Sequence, residues 1–330
     1  MNLKDKPVEE ILPGIYRIEI PLPKNPLRAL NAYVLKGTDR NLIIDTGWNH
    51  EDCMSAMLTC LRKTDVNLSK TDFFITHLHA DHIGLVSALA QDNSTIYFNE
   101  PEADKVSVSA YWEEFRRFAR QNGFPKDDIR TVFRRHPGYK YGPRGPLSFC
   151  LLKENDRLTI GDYIFKCIET PGHSIGHLCL YEPSKKLLIS GDHVLQDITP
   201  NIQLWSDGRN TLKQYIRSLK KVEQLDVDLV LPGHRRIFTN CRKRVLELRA
   251  HHQHRLKEVM SILENGELQA YQVASRMAWD ISEAFPSWDE FPPPQKWFAT
   301  GEAISHLKYL EEEGRIQRRI SEQRIFFSLK

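Results

Sequence analysis

Thr76-His77-Leu78-His79-Ala80-Asp81-His82 constrains this chain more than any other stretch, because three imidazoles and a carboxylate fall within six consecutive positions. Phe73-Phe74-Ile75 before it reads as a buried strand, and Leu85-Val86-Ser87-Ala88-Leu89 after it opens a helical pattern. The cluster therefore sits on a loop where strand passes into helix. In extended backbone alternate side chains share a face, so His77 and His79 can address one cation. Asp81 and His82 lie past the turn and can reach a neighbouring site. Imidazole and carboxylate without thiolate suit zinc, with manganese or iron compatible. A lone His-x-His is commonly a surface accident, but four ligand-type side chains at this spacing on a strand end point to metal.

Those residues would not complete two catalytic sites, and the sequence supplies more. Glu169-Thr170-Pro171-Gly172-His173-Ser174-Ile175-Gly176-His177 follows the apolar run Tyr163-Ile164-Phe165-Lys166-Cys167-Ile168. Leu187-Leu188-Ile189-Ser190-Gly191-Asp192-His193 ends another strand, and Asp228-Leu229-Val230-Leu231-Pro232-Gly233-His234 a third. In this order the motifs resemble the metallo-β-lactamase superfamily over about two thirds of the chain. The resemblance implies an α/β fold, the αββα sandwich, and a hydrolase carrying two divalent ions, zinc foremost, with manganese or iron as alternatives. It implies that His77, His79 and His173 hold the first metal and Asp81, His82 and His234 the second, with Asp192 bridging. Where the zinc β-lactamases proper carry a cysteine ligand this sequence has Asp192, so it is similar to the branches of hydroxyacylglutathione hydrolases, lactonases, thioesterases and ribonucleases. Antibiotic hydrolysis is not the expected task. His177 and His193 are expected to hydrogen-bond a ligand or loop backbone rather than ligate. A hydroxide between the cations would attack the substrate without a serine or cysteine nucleophile, with Asp81 orienting it.

Composition bounds the rest. A chain of 330 residues has room for two domains, here a catalytic domain at 1–240 with a helical insertion at about 100–150, and a second domain at 241–330. A net charge of +3 announces no nucleic-acid partner. The six cysteines show no paired spacing and read as reduced thiols. Residues 1–7 lack the apolar core of a signal peptide, and no apolar run approaches membrane-spanning length. The expectation is a cytoplasmic protein without membrane association.

Taken in order, Gly14-Ile15-Tyr16-Arg17-Ile18-Glu19-Ile20 alternates enough for an outer strand, and Ala32-Tyr33-Val34-Leu35 with Asn41-Leu42-Ile43-Ile44 reads as a hairpin. Asp45 in Asp45-Thr46-Gly47 is expected to pin the metal loop through hydrogen bonds. Within 111–145 nine lysines and arginines stand against four acids, a surplus of +5, and Tyr111, Phe115 and Phe118 share a helical face beside Trp112. That segment reads either as a solvated helical hairpin or as a lid recruiting an anionic substrate, with Arg134, Arg135, Tyr139 and Tyr141 as contacts. Trp205, in the loop 194–210 after Asp192, is a further contact candidate or a packing residue.

Beyond His234 the composition turns helical. Helices over 241–264, 270–278 and 298–313 and a terminal hairpin resemble a small, mainly helical winged-helix domain. His251-His252-Gln253-His254 reads as a surface face, since adjacent residues of a helix point in different directions. The third helix carries Glu302, Glu311, Glu312 and Glu313 against Lys308 and His306, whereas the hairpin is basic. A groove-reading helix needs basic or amide side chains, so a scaffold role, packing or homo-oligomer formation, is favoured over nucleic acid. The charge distribution favours a small anionic acyl substrate, a thioester, ester or lactone, with single-stranded RNA as the alternative.

Overall fold

The structure is a computed structural model describing residues 8–106, 110–280 and 285–330. Residues 1–7, on which the expectation of no signal peptide rests, lie outside it, as does the side chain of Tyr111. The chain forms two compact units, the first from 1–107, 137–200 and 222–244, the second from 108–136, 201–221 and 245–330.

The first unit holds two sheets. One has β1 (Glu9–Leu12), β2 (Ile15–Pro21), β3 (Ala29–Leu35), β4 (Asn41–Ile44), β5 (Thr71–Phe74), β6 (Ile96–Asn99) and β7 (Cys150–Leu152) in sequence order. It is antiparallel as far as β4 and parallel from β4 to β7. The other has β8 (Arg157–Ile160), β9 (Tyr163–Glu169), β10 (Leu178–Glu182), β11 (Leu187–Gly191) and β12 (Leu229–Pro232), antiparallel except for the parallel pair β11 and β12. The strand expected at the edge, β2, lies one place in, because the short β1 pairs outside it, Glu9 opposite Arg17.

Side-chain alternation explains why the central strands are apolar throughout. Tyr33 and Leu35 of β3, Leu42 and Ile44 of β4 and Phe74 of β5 face Phe165, Leu178, Leu180, Ile189 and Leu231 of the other sheet. Their neighbours Ala32, Val34, Ile43, Phe73 and Ile75 pack on Cys53, Met57 and Leu61 of the helix Glu51–Lys63. Both faces are covered, so the period of two merges into a continuous apolar run. Truncating one such phenylalanine to alanine costs about 3–5 kcal/mol.

The second unit is mainly helical. Its helices include Ala110–Gln121, Lys126–Arg135, Ala270–Ala274 and Pro293–Glu312, together with most of Thr211–Glu223 and of Cys241–Leu263. The last of these elements in sequence form the hairpin β13 (Ile316–Ser321) and β14 (Arg324–Leu329), to which Leu268 adds an isolated bridge at Phe327. Trp297 centres the core: Trp205 stacks on it at 3.6 Å, and Phe124 and Phe133 meet it edge-on at 5.4 Å. The helix Pro293–Glu312 starts earlier than 298, since a proline in the first turn has no N–H to lose there. Among the described residues no helix is long and apolar enough to cross a membrane.

Candidate metal centre

The residues singled out by spacing converge at one end of the two sheets of the first unit. Asp45 follows β4, the run from His77 to His82 follows β5, His173 follows β9, Asp192 follows β11 and His234 follows β12. Backbone bonds lock these loops together. The N–H groups of Thr46 and Gly47 donate to the carbonyls of His82 and Asp81, each at 2.8 Å. Asn31 of β3 staples the His234 loop, its amide donating to Pro232 O at 3.0 Å and Arg235 O at 2.7 Å. Gly233 is glycine for a steric reason: a Cβ there would lie 2.5 Å from Asp192 Oδ1.

Three sets of donor atoms each lie within 4.8 Å of one another: His77, His79 and His173; His77, His82 and Asp192; Asp81, His82 and His234. His79 Nδ1 stands 2.9 Å from His77 Nε2 and 3.0 Å from His173 Nε2. A ring nitrogen has one in-plane lone pair or one proton, so it cannot satisfy both neighbours by hydrogen bonding. Two such separations, with all three donors within 4.8 Å of one another, fit a tetrahedral zinc corner, where bonds of about 2.0–2.1 Å put donors about 3.3 Å apart. The remaining histidines are held from behind. His82 Nδ1–H donates to Asp45 Oδ2 at 2.7 Å, and His234 Nδ1–H to Ala29 O at 2.8 Å, tautomers inferred from these partners. That leaves both Nε2 atoms buried, like Asp192 Oδ1, without a hydrogen-bond partner. His234 Nε2 lies 3.3 Å from Asp81 Oδ2 and 3.5 Å from Asp192 Oδ2, close to both carboxylates but outside hydrogen-bond geometry. Orphaned buried donors pointing at one another are what a divalent cation would satisfy, so the residues present fit the group.

Protonation divides the cluster in two. Burial, with His173 beside it, pushes His79 down to about 3. Burial also lowers His77, helped by the neighbouring imidazoles, so this corner offers neutral nitrogens. On the other side burial works against charge, but carboxylates outweigh it, Asp192 foremost, and hold His234 up at about 10. Burial likewise opposes ionisation of Asp81, and His82 and His234 outweigh it, keeping the carboxyl at about 2. In the second half raised imidazoles thus face lowered carboxyls, and metal uptake there would release protons.

Asp45 pins the loop as expected. It is buried, its Oδ1 accepts Thr76 N–H at 2.9 Å, and its Oδ2 receives the His82 proton. His177 hydrogen-bonds loop backbone: its Nε2 accepts Asp192 N–H at 3.1 Å while Nδ1 bonds Thr170 Oγ1 at 2.8 Å. His193 is buried outside the three converging sets. Tyr141 stacks on Trp48 at 4.6 Å and its carbonyl accepts Asn49 N–H, which braces the segment after Asp45. Tyr139 is 67% exposed. Arg134 and Arg135 are exposed at the end of Lys126–Arg135, and Trp205 is buried against Trp297, all three in the second unit. The expected surface face at 251–254 is corrected for His252, which is buried, Nδ1 3.2 Å from Nε2 of the equally buried His306.

Sequence reasoning missed Glu102, Asn31 and Thr76, which touch this centre through backbone N–H and C=O groups or through Asp45. Backbone groups occur at every position, so no spacing betrays a side chain that binds them. The helix-start pattern Asn99-Glu100-Pro101-Glu102 was the available trace.

Residues 26–234 match the family model described as metallo-beta-lactamase superfamily, and residues 256–327 match a metallo-beta-lactamase-like C-terminal domain. The chain is 26% identical over 292 residues to a probable metallo-hydrolase of Bacillus subtilis, covering 86% of this chain and 88% of that protein. It is 27% identical over 242 residues to a human acyl-coenzyme A thioesterase, covering 68% of this chain and 79% of the other. A metallo-beta-lactamase family protein from Thermus thermophilus superposes with a TM-score of 0.81 at 26% identity, covering 97% of this chain and 100% of that one.

Proposed function

The chain belongs to the metallo-beta-lactamase superfamily and is one of its metal-dependent hydrolases, and on that premise we propose a binuclear enzyme that cleaves thioester carbonyls, with esters and lactones as neighbouring chemistry. The observation carrying this reading is the convergence of His77, His79, Asp81, His82, His173, Asp192 and His234 into three donor sets. Two divalent ions bound there, zinc first among them, would lower the pKa of water towards neutrality and polarise the carbonyl under attack.

The residues of the chain have distinct tasks in this reading. His77, His79 and His173 offer neutral nitrogens; Asp45 and Ala29 O aim His82 and His234 through Nδ1. We assign the bridge to Asp192, because its Oδ2 lies 3.6 Å from His173 Nε2, 3.6 Å from His82 Nε2 and 3.5 Å from His234 Nε2. Asp81, ionised beside His82 and His234, holds and orients the attacking water. The buried Cys167 is a poor nucleophile, since burial pushes its thiol up to about 12.

Thioester chemistry is favoured by the similarity to the human acyl-coenzyme A thioesterase. Within 111–145, Arg116 and Arg120 pair with Glu113 and Arg130 with Asp127, and the exposed Arg134 and Arg135 are the cations we propose for an anionic acyl carrier. RNA cleavage has less support. Arg318 of the terminal hairpin pairs with Asp207 at 2.7 Å and Glu311 at 3.0 Å, and Arg319 with Glu267 at 2.9 Å, so two of the five cations at 315–330 are neutralised within their own unit. We read the three helices and hairpin as a winged-helix-like scaffold. The deciding experiment offers purified zinc-loaded protein acyl-coenzyme A, lactone and single-stranded RNA. Thioester turnover lost in His79→Ala is the expected result; salt-sensitive RNA cleavage lost in the same variant would replace the thioesterase reading.

A further inference from the structure

We propose that Glu102, which contacts no donor of the centre, is a positioning residue that clasps its two histidine loops and thereby sets the affinity of the three-histidine corner for metal. The inference rests on the metal reading above. Glu102 lies in the short helix Glu100–Ala103 and is fully buried. Its Oε2 accepts the N–H of Leu78, the residue between His77 and His79, at 2.9 Å. Its Oε1 accepts the N–H of Gly176, in the loop between His173 and His177, at 3.1 Å. Asn99 completes the clasp, its amide donating to Oε2 at 3.0 Å while its own Oδ1 accepts Glu102 N–H at 3.0 Å. One carboxylate thus joins two loops that are almost a hundred residues apart in sequence, and these loops carry every nitrogen of the corner.

The chemistry of the clasp explains two choices in the sequence. Three N–H donors converge on one side chain, and a carboxylate is the group that only accepts. Glutamine would turn its own N–H groups towards Leu78 or Gly176, setting donor against donor. Gly176 is the second choice. A Cβ there would fall 1.8 Å from Asn99 Oδ1 and 3.0 Å from Glu102 Cγ, so the glycine is what lets the loop reach the carboxylate. Hydrogen bonds behind metal ligands typically govern about 10- to 100-fold in metal affinity.

The test is a Co²⁺ titration of full-length metal-free protein, followed by d–d absorption and chelator competition, in wild type, Glu102→Gln and Glu102→Asp. Glu102→Gln is expected to weaken the first equivalent by about 10- to 100-fold and alter its spectrum, leaving the second equivalent within about threefold. Glu102→Asp keeps the charge but withdraws it by one methylene, and should fall between. If the Gln variant does not fold, the Asp variant carries the test. A folded variant binding the first Co²⁺ as tightly as wild type, with the same spectrum, overturns the clasp. Wild type that binds no Co²⁺ would instead overturn the metal reading, so the two failures are distinguishable.

Discussion

The two units each bury a cluster of histidines, and the clusters are built differently. In the first, His82 and His234 are tied through Nδ1 to Asp45 and Ala29, and their other nitrogens face carboxylates they do not hydrogen-bond. In the second, His306 Nδ1–H donates to Glu302 O at 2.8 Å, and its Nε2 is left to accept from His252 Nδ1 at 3.2 Å. Three of the four ring nitrogens of that pair are thereby satisfied within the unit, and the fourth, His252 Nε2, is buried without a hydrogen-bond partner but faces no carboxylate set. Around it Glu302 accepts from Asn201 at 2.9 Å, and Arg255 donates to Glu258 at 2.7 Å. Among the described residues no third donor converges on the pair, whereas the first cluster has three such sets. Burial of imidazole is therefore a poor sign of metal. Fixing one nitrogen outward while the other converges with carboxylates is the informative arrangement.

The largest expected effect separates the clusters outright. His79→Ala or Asp192→Ala should lower hydrolysis by about a thousandfold or more and leave soluble protein depleted of metal. His306→Ala should leave metal content by elemental analysis at the wild-type level and cost about 1–3 kcal/mol of stability through the unpaired His252. Equal metal loss in both would erase the contrast.

Next in size is Asp45→Asn, which keeps shape but sets an amide against the N–H of Thr76 or of His82. Metal affinity should drop about 10- to 100-fold with the fold retained. An unchanged value would mean that holding His82 from behind is irrelevant, and the distinction between the clusters would reduce to ligand count.

Arg134 and Arg135 belong to neither cluster and ask whether the helical unit meets substrate at all. Replacing both with alanine should lower kcat/KM for an anionic acyl thioester by up to about tenfold, mainly through KM. No change assigns them to solvated surface.

The smallest effect concerns Glu302. Burial raises its carboxyl to about 7 from an ordinary 4.5, since Arg255 Nε, 3.8 Å away, is too distant to compensate. A raised folded pKa contributes stability that is present in full below 4.5 and lost as pH rises through about 7. The melting temperature should fall by a few degrees between about pH 5 and 8, and Glu302→Gln should flatten that slope. A slope unchanged by Glu302→Gln would place the titrating group elsewhere.

The convergence of the candidate donors was legible because they crowd into short motifs at strand ends, and β3, β4 and β5 because both of their faces are apolar. Three edge strands were not. Glu9–Leu12 starts with two glutamates, and Cys150–Leu152 and Arg157–Ile160 are three and four residues long, too short for any period to declare itself. His252 was misread for a related reason. The helix opposite it, Pro293–Glu312, buries Thr300, Glu302, Ser305 and His306, so polarity does not mark its solvent side. Glu102 escaped because its partners are mainly backbone amides. Helical periodicity locates an apolar stripe and is blind to a buried polar seam.

The ligand loops draw on residues from 77 to 234, with the staple from Asn31 reaching further back still. No short stretch of this chain completes any of the three donor sets, since each also needs His173, Asp192 or His234, so the whole centre requires both sheets and the pairing of β11 with β12. A cation completing those sets would act as a ratchet on a structure already made, slowing escape from the native basin more than it speeds arrival.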